Sequence, residues 1–305
     1  MTCYFPLAAY RGKSKDASKT SIVFRRSESW KGEKLFLPCG QCVGCRLEYS
    51  RQWAVRCMHE AQMHEKNCFL TLTYDHEHVP KDGSLKLEDY QLFMKRLRKE
   101  YGPGIRFYHC GEYGEENGRP HYHSLLFNHD FPDRKYFKGS GERSLYTSSS
   151  LSKLWPMGHS LIGNVTFESA AYVARYIMKK VKGDEKEAHY GLRKPEYTTM
   201  SRRPGIGARW FEVYKGDVYP RDCVVVRGTE CRPPRYYDSL LAKEDPSTFE
   251  LLKIERAKKY SDKYVDDVID GENRKVSDQD SFRLLVKEEV KRAEANQLIR
   301  PLEIE

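Results

Sequence analysis

The chain has 305 residues and a formal net charge of +9, enough length for one large or two modest domains with a proper core, and no stretch approaches the roughly 18 apolar residues of a membrane span, so no membrane partner is expected. The opening "MTCYFPLAAYRGKSK" puts its short apolar segment before its basic residues, the wrong order for a secretory signal. Residues 236–305 hold 13 Lys/Arg against 17 Asp/Glu, whereas residues 1–235 hold 40 against 27, and this excess on the main body favours a polyanionic partner, nucleic acid foremost.

All nine cysteines lie at or before Cys231, three of them packed as "CGQCVGC". Cys39, Cys42 and Cys45 are too closely spaced for ordinary bridges in a non-secreted chain, and C-x2-C-x2-C reads as soft-metal ligation, a structural Zn2+ above all. A reduced, metal-free cluster is the alternative. Zinc needs a fourth ligand, from Cys3, Cys57 or His59. Cys3 is preferred because metal would tie down the otherwise loose "MTCYFP". The helix that follows argues the same way: in "EYSRQWAVRCMHEAQMH", Trp53, Ala54, Cys57 and Ala61 fall at helical spacing on one side and read as core.

Further along, "FLTLTY" (69–74) alternates as a half-buried strand and "DHEHVPKDG" is a loop, whose His76 and His78 need no role beyond a solvated turn. "LEDYQLFMKRLRKEYG" has Leu92, Phe93, Leu97 and Tyr101 at helical periodicity and stops at Gly102. "IRFYHCGEYG" and "HYHSLLFN" are strands of a hairpin turned by "EENGRP", and "SLIGNVTFE" is a strand running into the helix "SAAYVARYIMKKVKG". From about residue 236 the chain becomes charged helical segments, "FELLKIERAKKY" and "SFRLLVKEEVKRAEANQL", joined by the polar "DGENRKVSDQD". This order predicts an α+β fold, an antiparallel sheet covered by helices. The expected domains are a Cys-rich knuckle and helix at 1–60, a core at 61–215, and a connector with a helical C-terminal appendage at 216–305.

On the return arm of the hairpin, His121 and His123 project from one face, and Glu112 on the outgoing arm offers a carboxylate opposite them. Two imidazoles, a carboxylate and open positions suit a divalent ion that also holds a substrate oxygen, Mg2+ or Mn2+ in a phosphate enzyme; zinc would bind too. Two cross-strand core histidines are the plainer reading. On the helix after the fourth strand, Tyr172, Arg175, Tyr176, Lys179 and Lys180 share one face, opposite the apolar Ala170, Val173, Ala174, Ile177 and Val181. The tyrosines therefore stand off the packing stripe. Two phenols one turn apart among cations suit attack on a phosphodiester, since a phenol of ordinary pKa near ~10 needs metal and cationic surroundings to act as a nucleophile. A solvated basic helix is the alternative. In "MSRRPGIGARW", Arg202 and Arg203 precede a turn whose Gly205 and Gly207 amides would clamp phosphate, unless it is an ordinary basic turn.

"FLTLTY", "RPHYHSLLF" and "YVARYIMKK" stand in the order of the three motifs of the HUH endonucleases, the replication initiators of rolling-circle elements, with Tyr122 as the bulky residue between the histidines. With "CGQCVGC", "GEYGEENGRPHYH" and "MSRRPGIG", residues 1–215 resemble more narrowly the initiators of small single-stranded DNA phages, the gokushovirus-type microviruses. The resemblance implies a five-stranded antiparallel HUH/RRM-like sheet with a metal on one face beneath the tyrosine helix. It implies His121 and His123 as metal ligands, with Glu112 as third, Tyr172 and Tyr176 as paired nucleophiles, and Lys179 as phosphate-positioning lysine. Arg119, Arg175, Lys180, Arg202 and Arg203 are the expected DNA contacts. The implied activity is nicking of single-stranded origin DNA, with a 5′-phosphotyrosine link, a free 3′-hydroxyl that primes rolling-circle synthesis, and rejoining by the second tyrosine. Host helicase, polymerase and single-strand-binding protein are the implied partners, in the cytoplasm of a bacterial host cell. Rival readings are an HUH transposase or relaxase, and a non-catalytic, zinc-stabilised single-strand binder.

Overall fold

The computed structural model describes residues 3–12, 21–114, 117–179, 185–259, 264–269, 272–277 and 280–297. In chain order the elements are β1 (Leu7–Gly12), β2 (Ile22–Val23), β3 (Ser29–Leu37), α1 (Val43–Gln62), β4 (Asn67–Tyr74), α2 (Leu87–Tyr101), β5 (Arg106–Tyr113), β6 (Pro120–Phe127), β7 (Lys135–Lys138), β8 (Leu145–Thr147), α3 (Ser149–Leu154) and β9 (Gly158–Gly163). They continue with α4 (Phe167–Lys179), α5 (Glu185–Tyr190), β10 (Tyr197–Met200), α6 (Ala208–Val218), β11 (Val224–Val226), β12 (Thr229–Cys231), α7 (Arg235–Glu244), α8 (Pro246–Lys259), β13 (Tyr264–Ile269), β14 (Glu272–Ser277) and α9 (Ser281–Asn296). The chain divides into two compact units, residues 1–48 with 254–299, and chiefly residues 49–253.

The larger unit is built on an antiparallel sheet that, among the described residues, has seven strands in the order β10-β5-β6-β4-β9-β8-β7. The expectation of five strands is thus exceeded, because the β7–β8 hairpin extends one edge. Its strand "KYFK" is exposed throughout and so lacks the alternation that marks a half-buried strand. Helices cover both faces. Leu70, Leu72, Tyr74, Tyr122 and Leu126 pack with Tyr90, Phe93, Met94 and Leu97 of α2 and Leu151 and Trp155 around α3. On the other face Phe69, Tyr108, Cys110, Leu125 and Phe127 pack with Ala54 and Cys57 of α1 and with Ala170, Val173 and Ala174 of α4. Hence β4 and β6 are buried along most of their length rather than half-buried.

The stripe that α2 buries is Tyr90, Phe93, Met94 and Leu97, one turn apart on one side, each contributing about 1.5–3 kcal/mol by leaving water. Leu92, read as part of that stripe, faces solvent instead. Gly102, at φ 96°, takes the left-handed turn that ends the helix, its N–H bonding the Arg98 carbonyl.

In the smaller unit β1 pairs with β2 and β3 in a three-stranded sheet of order β2-β1-β3, β13 pairs with β14, and α9 is capped by Asp280, whose carboxylate accepts from the Phe282 and Arg283 amides. The β13–β14 hairpin falls within the C-terminal region read as helical, and takes in most of the "DGENRKVSDQD" joint.

Candidate metal and nucleophile site

The register of β5 with β6 sets Glu112 directly across from His121 and Cys110 across from His123. Strand alternation then puts Glu112, His121 and His123 on the face that carries α4. Glu112 Oε1 lies 2.6 Å from His121 Nε2 and 2.8 Å from His123 Nε2, and one ligand atom from each residue falls within 4.8 Å of the others. Glu112 and His123 are 1% exposed and the His121 side chain 15%, so the group meets solvent through His121.

Each imidazole is held from behind. His121 Nδ1 is 3.1 Å from the Arg119 carbonyl oxygen, and His123 Nδ1 is 3.0 Å from Thr71 Oγ1. A carbonyl only accepts, so this bond fixes the proton on His121 Nδ1 and leaves Nε2 as the nitrogen whose lone pair faces the carboxylate. Two acceptors this close require positive charge between or upon them, either an imidazolium proton or a cation. Burial raises the Glu112 carboxyl pKa, but hydrogen bonds from His121 and His123 outweigh it and hold the group below the ordinary carboxylate range. An ionised carboxylate beside two oriented imidazoles fits a divalent ion with positions left for substrate.

Helix α4 brings Tyr172 to this group. Its ring lies edge-on, 5.1 Å between centroids, against His123, which in turn stacks on Phe69 at 5.5 Å. The expectation that Tyr172 stands off the packing stripe is corrected: it is 2% exposed. A helix laid flat on a sheet buries an arc wide enough to take in Tyr172 with Ala170, Val173 and Ala174. Ser50 Oγ of α1 donates to the Ala171 carbonyl at 3.0 Å and helps fix that seat. Arg175 is half-buried. Tyr176 and Lys179 fall in the last turn of α4 with side chains outside the described residues, and Lys180 lies outside them altogether. The Arg119 guanidinium reaches His76 Nδ1 at 3.1 Å and the Tyr74 carbonyl at 3.4 Å.

Around 201–207, Arg202 and Arg203 are exposed, but the turn beyond them is not an open amide cradle. The Gly207 N–H donates to Glu60 Oε2 at 2.7 Å, and Glu60 Oε1 pairs with Arg106. Arg106 Nη2 and Arg56 Nε donate to the Pro204 and Ile206 carbonyls at 2.7 and 3.0 Å. Arg56 is itself sandwiched 3.9 Å from the Trp53 and Tyr236 rings. The glycines serve close packing: at φ 81°, a Cβ on Gly207 would stand 2.7 Å from Tyr237 Oη.

In the smaller unit Cys3, Cys39, Cys42 and Cys45 bring their Sγ atoms within 4.8 Å of one another. Backbone amides point at the sulfurs: Cys39 N–H to Cys3, Gln41 and Cys42 N–H to Cys39, and Tyr4 N–H to Cys42, at 3.2–3.4 Å. Burial pushes the Cys3 and Cys45 thiols up. Cys39 is pushed up by burial too, but its amide donors bring it down to about 7. Four sulfurs with N–H support fit a tetrahedral soft-metal site. Cys57 and His59 are occupied in the larger unit. Cys57 is fully buried core, and His59 stacks on Trp210 at 3.5 Å with its Nδ1 2.8 Å from Tyr237 Oη.

The residue that sequence reasoning missed is Thr71. In "FLTLTY" it read only as strand alternation; its signal was a hydroxyl on the strand face that the neighbouring histidines share.

A model of the replication-associated protein ORF2 family matches residues 67–181. Over 221 residues the chain is 39% identical to the replication-associated protein VP4 of Bdellovibrio phage phiMH2K, covering 68% of each chain. It is 34% identical over 238 residues to the replication-associated protein ORF2 of Spiroplasma virus 4, covering 73% of each. It is 33% identical over 217 residues to the replication-associated protein ORF4 of Chlamydia phage 1, covering 68% of this chain and 54% of that one. No solved structure matches.

Proposed function

This chain belongs to the replication-associated protein ORF2 family of microvirus-like phages, and from that premise we propose that it starts rolling-circle DNA replication as a tyrosine endonuclease. The observation that carries the reading is the convergence of Glu112, His121 and His123 on one sheet face with the Tyr172 ring beside His123.

A divalent cation, Mg2+ or Mn2+, held by Glu112, His121 and His123 supplies Lewis-acid polarisation of the scissile phosphate. Arg119, Arg175, Lys180, Arg202 and Arg203 hold the backbone of single-stranded origin DNA. Tyr172 or Tyr176 attacks: its Oη forms a bond to phosphorus, the bond from phosphorus to the 3′-oxygen breaks, and the departing oxygen takes a proton. The products are a 5′-phosphotyrosine and a free 3′-hydroxyl, with no nucleotide consumed. Lys179 positions the phosphate and offsets the charge that develops on it. The second tyrosine cuts the regenerated origin while the first stays loaded, and the released 3′-hydroxyl rejoins the strand.

In this reading residues 61–215 form the catalytic core, residues 1–60 a knuckle stabilised by Zn2+ on Cys3, Cys39, Cys42 and Cys45, and residues 216–305 a connector and appendage. Host helicase, polymerase and single-strand-binding protein complete the reaction in the cytoplasm of the bacterial host. Among the described residues no helix is long and apolar enough to cross a membrane.

The test is incubation of the protein with labelled single-stranded oligonucleotides tiled across its replicon, with Mn2+ or with EDTA, resolved on a denaturing protein gel. Label is expected to migrate with protein only with metal, and to vanish in the Tyr172→Phe/Tyr176→Phe variant. Tight binding in EDTA with no adduct on any tile would instead leave a zinc-stabilised single-strand binder.

A further inference from the structure

Residues 1–37 hold eight Lys/Arg against three Asp/Glu, together with six aromatic residues. Part of this segment is the sheet β2-β1-β3, whose register sets Ala8 opposite Phe36 and Tyr10 opposite Lys34. Phe36 and Lys34 are thus two apart on one strand face. Phe36 is 53% exposed, Trp30 56% and Phe24 63%. Burying any one of them would contribute about 1.5–3 kcal/mol, so three open large aromatics on so small a sheet mark a surface that a partner completes.

The charge identifies the partner. The Lys31 ammonium lies 4.6 Å from the centroid of the Trp30 ring and that of Lys34 lies 4.9 Å from Phe36, while Arg25 and Arg26, exposed, follow Phe24 in the chain. Each aromatic ring therefore has a cation within the span of one nucleotide. A base needs an open ring face and its phosphate needs a cation beside it, which is how single strands are held without regard to sequence. A second copy of this chain would bring the same positive excess against itself.

We propose that this N-terminal sheet is a second binding site for single-stranded nucleic acid, with bases stacking on Trp30, Phe36 and Phe24 and phosphates meeting Lys31, Lys34 and Arg25. The site goes beyond the endonuclease reading and needs none of its chemistry.

The test uses the full chain and a fluorescein-labelled oligo-dT strand, with binding followed by anisotropy across a salt series without added divalent cation. The Trp30→Ala/Phe36→Ala variant is expected to bind at least about tenfold more weakly. The Lys31→Ala/Lys34→Ala variant is expected to bind more weakly and to lower the slope of log K against log salt by roughly 1.4. Ultraviolet cross-linking of the unaltered protein to an iodouracil strand, mapped by mass spectrometry, should mark Trp30, Phe24 or Phe36. Parent-like affinity in both variants with no such cross-link overturns the proposal. So does a parent dimer that the aromatic variant turns into a monomer with DNA affinity unchanged, which would make the sheet a self-association surface. Since the site is read by affinity, failure of covalent adduct formation bears only on the endonuclease.

Discussion

Glu112 and His121 are direct cross-strand partners on β5 and β6, and their side chains meet at 2.6 Å through Oε1 and Nε2. With His121 Nδ1 committed to the Arg119 carbonyl, that contact is where a cation gains most. Removing either partner is expected to reduce metal-dependent adduct by at least about a hundredfold, since several kcal/mol of phosphate stabilisation go with the ion. Single-turnover assays of His121→Ala and Glu112→Gln across a Mn2+ titration check this. Activity equal to the parent at every Mn2+ concentration would remove the pair from catalysis.

Thr71 acts on the metal only through His123. Thr71→Val should weaken Mn2+ binding about 10- to 100-fold, the usual effect of losing a partner that orients a ligand, while Thr71→Ser, which keeps the hydroxyl, restores most of it. Electron paramagnetic resonance of free Mn2+ measures this without DNA. Equal affinity in Val and Ser variants would reduce Thr71 to a packing residue.

Metal analysis can identify the fourth ligand of the cysteine cluster. One zinc per chain is expected, lost or sharply reduced in Cys3→Ser and retained in Cys57→Ala, which affects only the core of the larger unit. Loss of zinc should also lower the melting temperature by several degrees.

Acid should destabilise the larger unit before its carboxylates titrate. Burial pushes His59 down to about 3 from the ordinary 6.5, so between those pH values the unfolded chain binds the proton and the folded one does not. Stability is therefore full above about pH 6.5 and falls as pH drops toward 3, by on the order of a few kcal/mol. Thermal melts of the parent between pH 7 and 4 should show the fall. His59→Phe, which keeps a ring against Trp210, should flatten it.

Gly207→Ala should cost about 2 kcal/mol or more. Its left-handed φ of 81° strains any Cβ, and that Cβ would also press on Tyr237. Denaturant unfolding gives the value, and Gly216→Ala, with nothing within 4 Å of the added atom, is the control.

Strands β4, β5 and β6 were legible because their apolar residues run between clear turn signals, and the metal triad because hairpin register follows from the turn that joins its arms. The burial of Tyr172 was not, since a helical wheel ranks faces by polarity and a tyrosine can belong to either side. The 201–207 turn misled for a related reason: glycines that look like open amides were there to let Tyr236 and Tyr237 approach. The N-terminal sheet escaped because its strands carry aromatics outward among lysines. The β13–β14 hairpin had a signal, the Asp270-Gly271 pair between its strands, that the surrounding charge obscured.

Strand β6 lies between β5 and β4, each with a further neighbour beyond it. The amides of His121 and His123 therefore have no frayed edge from which to open. Deuterium should enter them only when the larger unit unfolds as a whole, far later than it enters the exposed β7 strand. The ligand geometry is thus as durable as the fold itself, already set when a strand of DNA arrives.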